Sequence, residues 1–227
     1  MLNDLTVVFD LDGTLVETAP DLIRAVNHIL ESQGLAAVEP ALIRPSISFG
    51  GRAMIQRALD LHGVTASPTE VDALFDMFIA HYSANISVDS HPFPGLIAAL
   101  DVLQSRGARL AVCTNKREVH SRDLLEQLGL ASLFAAIAGR DTFEVHKPHP
   151  EHLLGVIRLA NGNPARGIMI GDSETDIRTA RAAGLPVIAV PFGYTDTPVD
   201  QLGPDAVISH YDELVPTIDR LIAPVAK

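Results

Sequence analysis

The sequence predicts an α/β fold: a doubly wound parallel sheet with a small all-helical domain inserted after the first strand. Three observations predict it. Short β-rich apolar runs recur at Thr6–Asp10, Arg109–Thr114, Phe134–Gly139, Gly167–Gly171, Val187–Val190 and Ala206–Ser209. They lack strict polar–apolar alternation and most are separated by helix-like stretches, the pattern of strands covered on both faces by helices. Between Val16 and Ser87 the alternation of strand and helix stops, and only helical periodicity remains.

Each element has a local cause. Thr18 with Asp21 predicts a capping pair for the first helix, and Pro20 suits its first turn. Leu22, Val26, Ile29 and Leu30 follow at helical spacing, and Gly34 ends the run. Ser67-Pro68-Thr69-Glu70 is a capping box with proline at the first helical position. Val71, Leu74, Phe75, Phe78, Ile79 and Tyr82 then hold one face. Pro92-Phe93-Pro94-Gly95 reads as the return linker. The expected division is residues 1–15 and 88–227 for the α/β core, and 16–87 for the helical insert.

Composition bounds the function. The chain has 227 residues and is 47% hydrophobic, enough for a packed core. No apolar run approaches the ~18 residues of a membrane span. The amino terminus has no basic flank and meets Asp4, Asp10 and Asp12 early, which argues against a signal peptide. A net charge of −11 would repel a phosphate backbone or an anionic bilayer, so nucleic acid and membrane are not expected partners. A small anion would need a local positive site, and the chain has only three lysines: Lys116, Lys147 and Lys227. The single Cys113 excludes an internal disulfide and fits a reducing, cytoplasmic setting.

Four segments can carry chemistry. Asp10 and Asp12 lie two apart at the end of the first strand, where crowded carboxylates repel unless a cation sits between them. Gly13 lets the chain turn away, and the same residues also read as a plain acidic turn. Thr114 and Asn115 close the second strand, where hydroxyl and amide can hold phosphate oxygens or simply cap a helix. Lys147 stands between His146 and Pro148-His149-Pro150, as a fixed point charge for an anion or as a solvated surface lysine. His146, His149 and His152 have helical spacing, but Pro148 and Pro150 argue against a zinc site on one helix. Gly171-Asp172-Ser173-Glu174-Thr175-Asp176 places further carboxylates after another apolar strand. Strand carboxyl ends of an open α/β sheet gather at one crevice, so the four segments are expected to converge.

In this order the four segments resemble the signature motifs of the haloacid-dehalogenase-like hydrolase superfamily. The resemblance covers essentially the whole chain and implies a Rossmann-like core, with the helical insert as a cap domain. It also implies an aspartyl-phosphate mechanism. Asp10 is then the nucleophile and Asp12 the general acid and base. Mg²⁺ is implied, held by the Asp10 carboxylate, the Asp12 backbone carbonyl and Asp172, with Asp176 orienting the surroundings. Thr114, Asn115 and Lys147 would bind the transferring phosphoryl oxygens.

Family members that cleave carbon–halogen bonds lack the second aspartate of the first motif, so Asp12 argues for phosphoryl transfer. Members that form a Schiff base, and the sugar phosphomutases, use a cap lysine, and residues 16–87 contain none. Response-regulator receivers share clustered Asp, Thr and Lys around Mg²⁺ but are smaller and lack the insert. Segments Phe9–Asn27, Gly171–Gly184 and Phe192–Glu213 most resemble bacterial phosphatases acting on 2-phosphoglycolate. The cap loop Ser46–Arg52 is where specificity is expected, and Arg52 suits a substrate carboxylate. That loop reads Ile47-Ser48-Phe49-Gly50, where this group usually has Val-Gly-Asn-Gly. Phosphatases for an amino-sugar-acid phosphate, a nucleotide or pyrophosphate are the alternatives. A monomer or homodimer is expected.

Overall fold

The structure is a computed structural model that describes residues 1–223. Lys227 lies outside the described residues. In chain order the elements are β1 (Thr6–Phe9), β2 (Val16–Glu17), α1 (Ala19–Ser32), α2 (Pro40–Ile43), a 3₁₀ turn (Arg44–Phe49), α3 (Gly51–Leu61) and α4 (Pro68–Ala84). They continue with β3 (His91–Pro92), α5 (Leu96–Ser105), β4 (Arg109–Cys113), α6 (Glu118–Gln127), β5 (Ala136–Ala138), α7 (Pro150–Leu159), β6 (Gly167–Gly171), α8 (Glu174–Ala182), β7 (Val187–Ala189), β8 (Ala206–Val207) and α9 (Leu214–Ile222). The chain divides into two compact units, residues 1–16 with 92–223, and residues 17–91.

The first unit is an α/β layer structure. Its six-stranded sheet runs β5-β4-β1-β6-β7-β8, and every pairing is parallel. All six expected strands are present, most of them shorter than the apolar runs. Asp10 and Thr114 lie just past the ends of β1 and β4, where each amide still donates to the neighbouring strand, to Ile170 O and Ala138 O, before the chain turns away at the sheet's carboxyl edge. Sequence neighbours lie on opposite sides of β1, which makes the carboxyl ends of β1 and β6 the point where the winding reverses. Phe9 is in register with Val112 on one side and Ile170 on the other, and β4 and β6 each run one residue further, so the residues after these three strands start within one position of a common level.

Burial fixes this register. Val7, Val8 and Phe9 are fully buried, as a central parallel strand covered on both faces requires. On one face Val8, Ala111 and Met169 pack with Leu153, Val156 and Ile157 of α7 and with Ile177 and Ala180 of α8. Slipping a strand by one residue would turn these side chains to the other face, so packing holds the strand ends at a common height.

The second unit is helical. The Ser67 hydroxyl accepts from Glu70 N while the Ser67 amide donates to the Glu70 carboxylate, the expected capping box of α4. Val71, Phe78 and Tyr82 are buried, and the rings of Phe75, Phe78 and Tyr82 stack in sequence along the helix. The α1 amino terminus differs from expectation. Thr18 is at the cap position, but its backbone is already helical and its side chain makes no capping bond. The Ala19 amide is taken by Glu17 Oε1. Asp21 accepts instead from the amides of Asp89 and Ser90, the Ser90 hydroxyl and the Arg24 guanidinium, because a buried carboxylate is better satisfied by several such donors than by one helix amide.

Candidate active site

The site is built from the ends of β1, β4 and β6 and the loop after β5. The Asp10 amide donates to Ile170 O at 2.9 Å, extending the β1–β6 ladder by one bond. The turn that follows closes through Gly13 N to Val16 O, with Gly13 at φ +80°. A Cβ on Gly13 would lie 2.6 Å from Asp172 Oδ2, so glycine is needed for both the turn and the approach of that carboxylate.

Asp172 follows β6 and is buried. Its Oδ1 accepts from the Thr14 hydroxyl at 2.9 Å and its Oδ2 from the Tyr194 amide at 2.8 Å. The buried Tyr211 hydroxyl donates to Thr14 O at 2.8 Å, fixing the strip of backbone that carries Thr14. Asp176 is fully buried at the amino end of α8. Its Oδ2 accepts from the Ser173 amide and hydroxyl, forming a capping box that leaves Oδ1 pointing at Lys147.

Lys147 is 2% exposed. Its ammonium lies 2.6 Å from Asp176 Oδ1 and 2.9 Å from Asp10 Oδ1. The Lys147 backbone is pinned as well: its carbonyl accepts from Asn115 Nδ2 at 3.1 Å and from His146 Nδ1 at 2.9 Å. Its amide donates to His152 Nδ1 at 3.0 Å. Thr114 is buried beside this group, and its Oγ1 accepts the Lys116 amide at 3.2 Å.

Asp12 is held differently. Lys116 Nζ approaches its two oxygens at 3.0 and 3.2 Å. Thus Asp10, Asp172, Asp176, Thr114, Asn115 and Lys147 come together at the sheet edge, with Asp12 beside them on Lys116. His149 caps α7 through Nδ1, and both ring nitrogens of His152 are engaged, so the histidines form no metal cluster among the described residues. Arg52 belongs to the helical unit. Its Nε donates to Asp72 Oδ1 at 2.6 Å and its guanidinium lies 3.9 Å above the Phe75 ring.

Three carboxylates against one ammonium leave an excess of buried negative charge. One oxygen each of Asp10, Asp172 and Asp176 lie within 4.8 Å of one another. Burial pushes the Asp10 carboxyl up to about 6 despite Lys147, with Asp176 adding to the rise. Burial, then Asp10 and Asp176, raises Asp172 well above the usual carboxylate range. Burial alone would depress Lys147, yet Asp10 and Asp176 hold it protonated above the ordinary lysine value. An all-oxygen donor set carrying uncompensated charge fits a hard divalent cation.

Lys116, Thr14, Gly193 and Tyr194 contribute to this geometry without having been assigned from sequence. The scarcity of lysine and the place of Lys116 at the end of the second segment were its available signals. Nothing local signals that the Tyr194 amide reaches Asp172.

A profile of haloacid dehalogenase-like hydrolases matches residues 7–190, a span that includes all four segments. Proteins named phosphoglycolate phosphatase from Mesorhizobium japonicum and Agrobacterium fabrum are 51% and 46% identical over 217 residues, covering 95% of this chain and 96% and 93% of theirs. A crystal structure from Haemophilus somnus, described as that of a predicted phosphoglycolate phosphatase, is 28% identical. It aligns with a TM-score of 0.86 over 96% of this chain and 99% of that one. The similarity runs through every strand end that builds the site, and the chain belongs to the haloacid dehalogenase-like hydrolase family.

Proposed function

We propose that this phosphatase, a phosphoric monoester hydrolase, converts 2-phosphoglycolate to glycolate and phosphate through an aspartyl-phosphate on Asp10. The observation that carries the reading is the Asp10 carboxylate at the reversal point of the sheet, fixed by the Leu11 amide at 2.7 Å and by Lys147. Asp10 attacks phosphorus as the ester oxygen leaves. Asp12 gives that oxygen its proton, then takes one from the water that cleaves the acyl-phosphate and regenerates Asp10. Lys116 aligns the Asp12 carboxylate for both transfers. Thr114 Oγ1, Asn115 Nδ2 and Lys147 Nζ hold the transferring oxygens, on which charge spreads in the transition state.

The Asp10 and Asp172 carboxylates with the Asp12 carbonyl suit Mg²⁺, while Asp176, engaged with Ser173 and Lys147, orients from behind. When bound, the cation supplies charge neutralisation between two anions. Residues 17–91 would be the cap that sets specificity, and the Nη groups of Arg52 would take the substrate carboxylate as a bidentate pair. A cytoplasmic enzyme fits the lone thiol of Cys113.

Phosphate release from a panel with Mg²⁺ tests this: phosphoglycolate, sugar phosphates, nucleotides, an amino-sugar-acid phosphate and pyrophosphate. The highest kcat/KM is expected for phosphoglycolate, and a preference for another member would replace the substrate but not the chemistry. Asp10→Asn should abolish turnover. Arg52→Ala should raise KM for carboxylate-bearing esters about tenfold or more, as loss of a charge-assisted pair implies, and leave p-nitrophenyl phosphate unchanged.

A further inference from the structure

His152 is a fully buried histidine with both ring nitrogens committed and no part in the chemistry above. Its Nδ1 accepts the Lys147 amide at 3.0 Å, and its Nε2–H donates to Gly139 O at 3.0 Å. Only the neutral Nε2–H tautomer satisfies both bonds at once. The acceptor it leans on cannot move easily. A Cβ on Gly139 would meet the Glu118 amide at 2.2 Å and Lys116 O at 2.6 Å, so the backbone there is packed directly against the start of α6. The ring edge rests against Phe143, with centroids 5.9 Å apart at 77°, and Phe143 is in turn seated on Gly155 of α7. Burial holds the imidazole neutral, down to about 4, and Lys147 adds to that depression.

We infer that His152 is the positioning residue of Lys147: a rigid strut from the end of β5 that sets the height of the lysine backbone, and so the reach of its ammonium between Asp10 and Asp176. The lysine has a long flexible stem, so an anchored amide is what converts it into a fixed charge. The Asn115 and His146 bonds hold its carbonyl, but among the described contacts His152 is the partner of its amide. No local sequence rule marks the residue, since its work depends on tertiary contacts to Gly139 and Phe143.

The inference rests on the phosphoryl-holding role proposed for Lys147, and the test separates the two. His152→Phe keeps the ring against Phe143 and loses both hydrogen bonds. His152→Asn keeps an acceptor for the Lys147 amide but fills less space. With p-nitrophenyl phosphate and Mg²⁺, His152→Phe is expected to lower kcat ~10–100-fold per folded molecule, the usual cost of losing a supporting partner, while KM changes little. His152→Asn should recover most of that kcat even if its Tm is lower. In a Lys147→Ala background, His152→Phe should cost nothing further.

Unchanged kcat in His152→Phe would overturn the inference. So would an activity that follows Tm rather than the presence of an acceptor, or losses that multiply in the double variant. If His152→Phe does not fold, a His152→Asn protein that folds but has lost its kcat overturns it equally. Full activity in Lys147→Ala would instead remove the role of the lysine itself.

Discussion

At the scale of single residues, the site depends on side chains that are missing. A Cβ on Gly193 would lie 2.1 Å from Asp172 Oδ2, and one on Gly171 would lie 2.4 Å from the Asp176 side chain. These glycines, with Gly13, let backbone and carboxylate occupy adjoining space. Gly193→Ala should therefore displace Asp172 and, through the Tyr194 amide that it shares, loosen the following loop. A displacement of about 1 Å at a reacting centre costs on the order of 100-fold, so phosphatase kcat, read with p-nitrophenyl phosphate, is expected to fall by about that factor while circular dichroism stays native. A fully active Gly193→Ala protein would show that Asp172 tolerates movement. Asp10, Asp12, Thr114, Asn115, Asp172 and Asp176 stand out in the sequence because they lie at or just beyond the ends of apolar runs, in short polar segments whose residue types suit phosphate or a cation, and Lys147 stands out as one of three lysines, set beside two prolines. Gly193, Tyr194 and Lys116 were not assigned because what they touch depends on where other strands deliver their ends.

At the scale of elements, β4 carries Cys113 into the layer beneath the site. Its side chain is fully buried. Burial pushes the thiol up to about 12, against a lowering by Lys147. The thiolate is the reactive form, so a thiol both protonated and inaccessible should be inert. Ellman's reagent is expected to release no colour from the native protein at pH 8 and one equivalent per chain in guanidinium chloride. Rapid labelling of the folded protein would place Cys113 at an exposed position and contradict the β4 register. The strands themselves were legible as apolar runs. Several of their ends were read too long, because a hydrophobicity pattern does not mark where a chain leaves the ladder. The capping box of α4 was legible because both partners lie within four residues. The role of Asp21 is not legible locally because, besides Arg24 one turn on, its partners are the Asp89 and Ser90 amides, which come from far along the chain.

At the scale of the whole molecule, stability and function pull on the same buried charge. Asp172 prefers its proton in the folded state, because burial, Asp10 and Asp176 all disfavour the anion. A folded-state pKa raised above the unfolded one stabilises below the unfolded value, and that contribution is lost as pH rises through the folded value. Above the ordinary carboxylate range the protein without a cation therefore loses stability, either by taking up a proton on Asp172 or by holding its charge beside Asp10 and Asp176. A divalent cation that binds only the folded chain relieves that loss and adds RT ln(1 + [L]/Kd), about 2.7 kcal/mol at a hundredfold excess over Kd. At about 2–4 °C per kcal/mol for a chain of this size, Mg²⁺ should raise Tm by roughly 5–10 °C. Asp172→Asn still accepts from Thr14 and removes the ionisable carboxyl, although its Nδ2 then faces the Tyr194 amide without an acceptor for it. It should unfold at a higher temperature than the wild type in EDTA, gain little from Mg²⁺, and turn over substrate poorly. Differential scanning calorimetry with and without Mg²⁺ reads all but the last. An equal Mg²⁺ shift in both proteins would mean that the cation acts elsewhere, and a less stable Asp172→Asn in EDTA would mean that the carboxylate is structural.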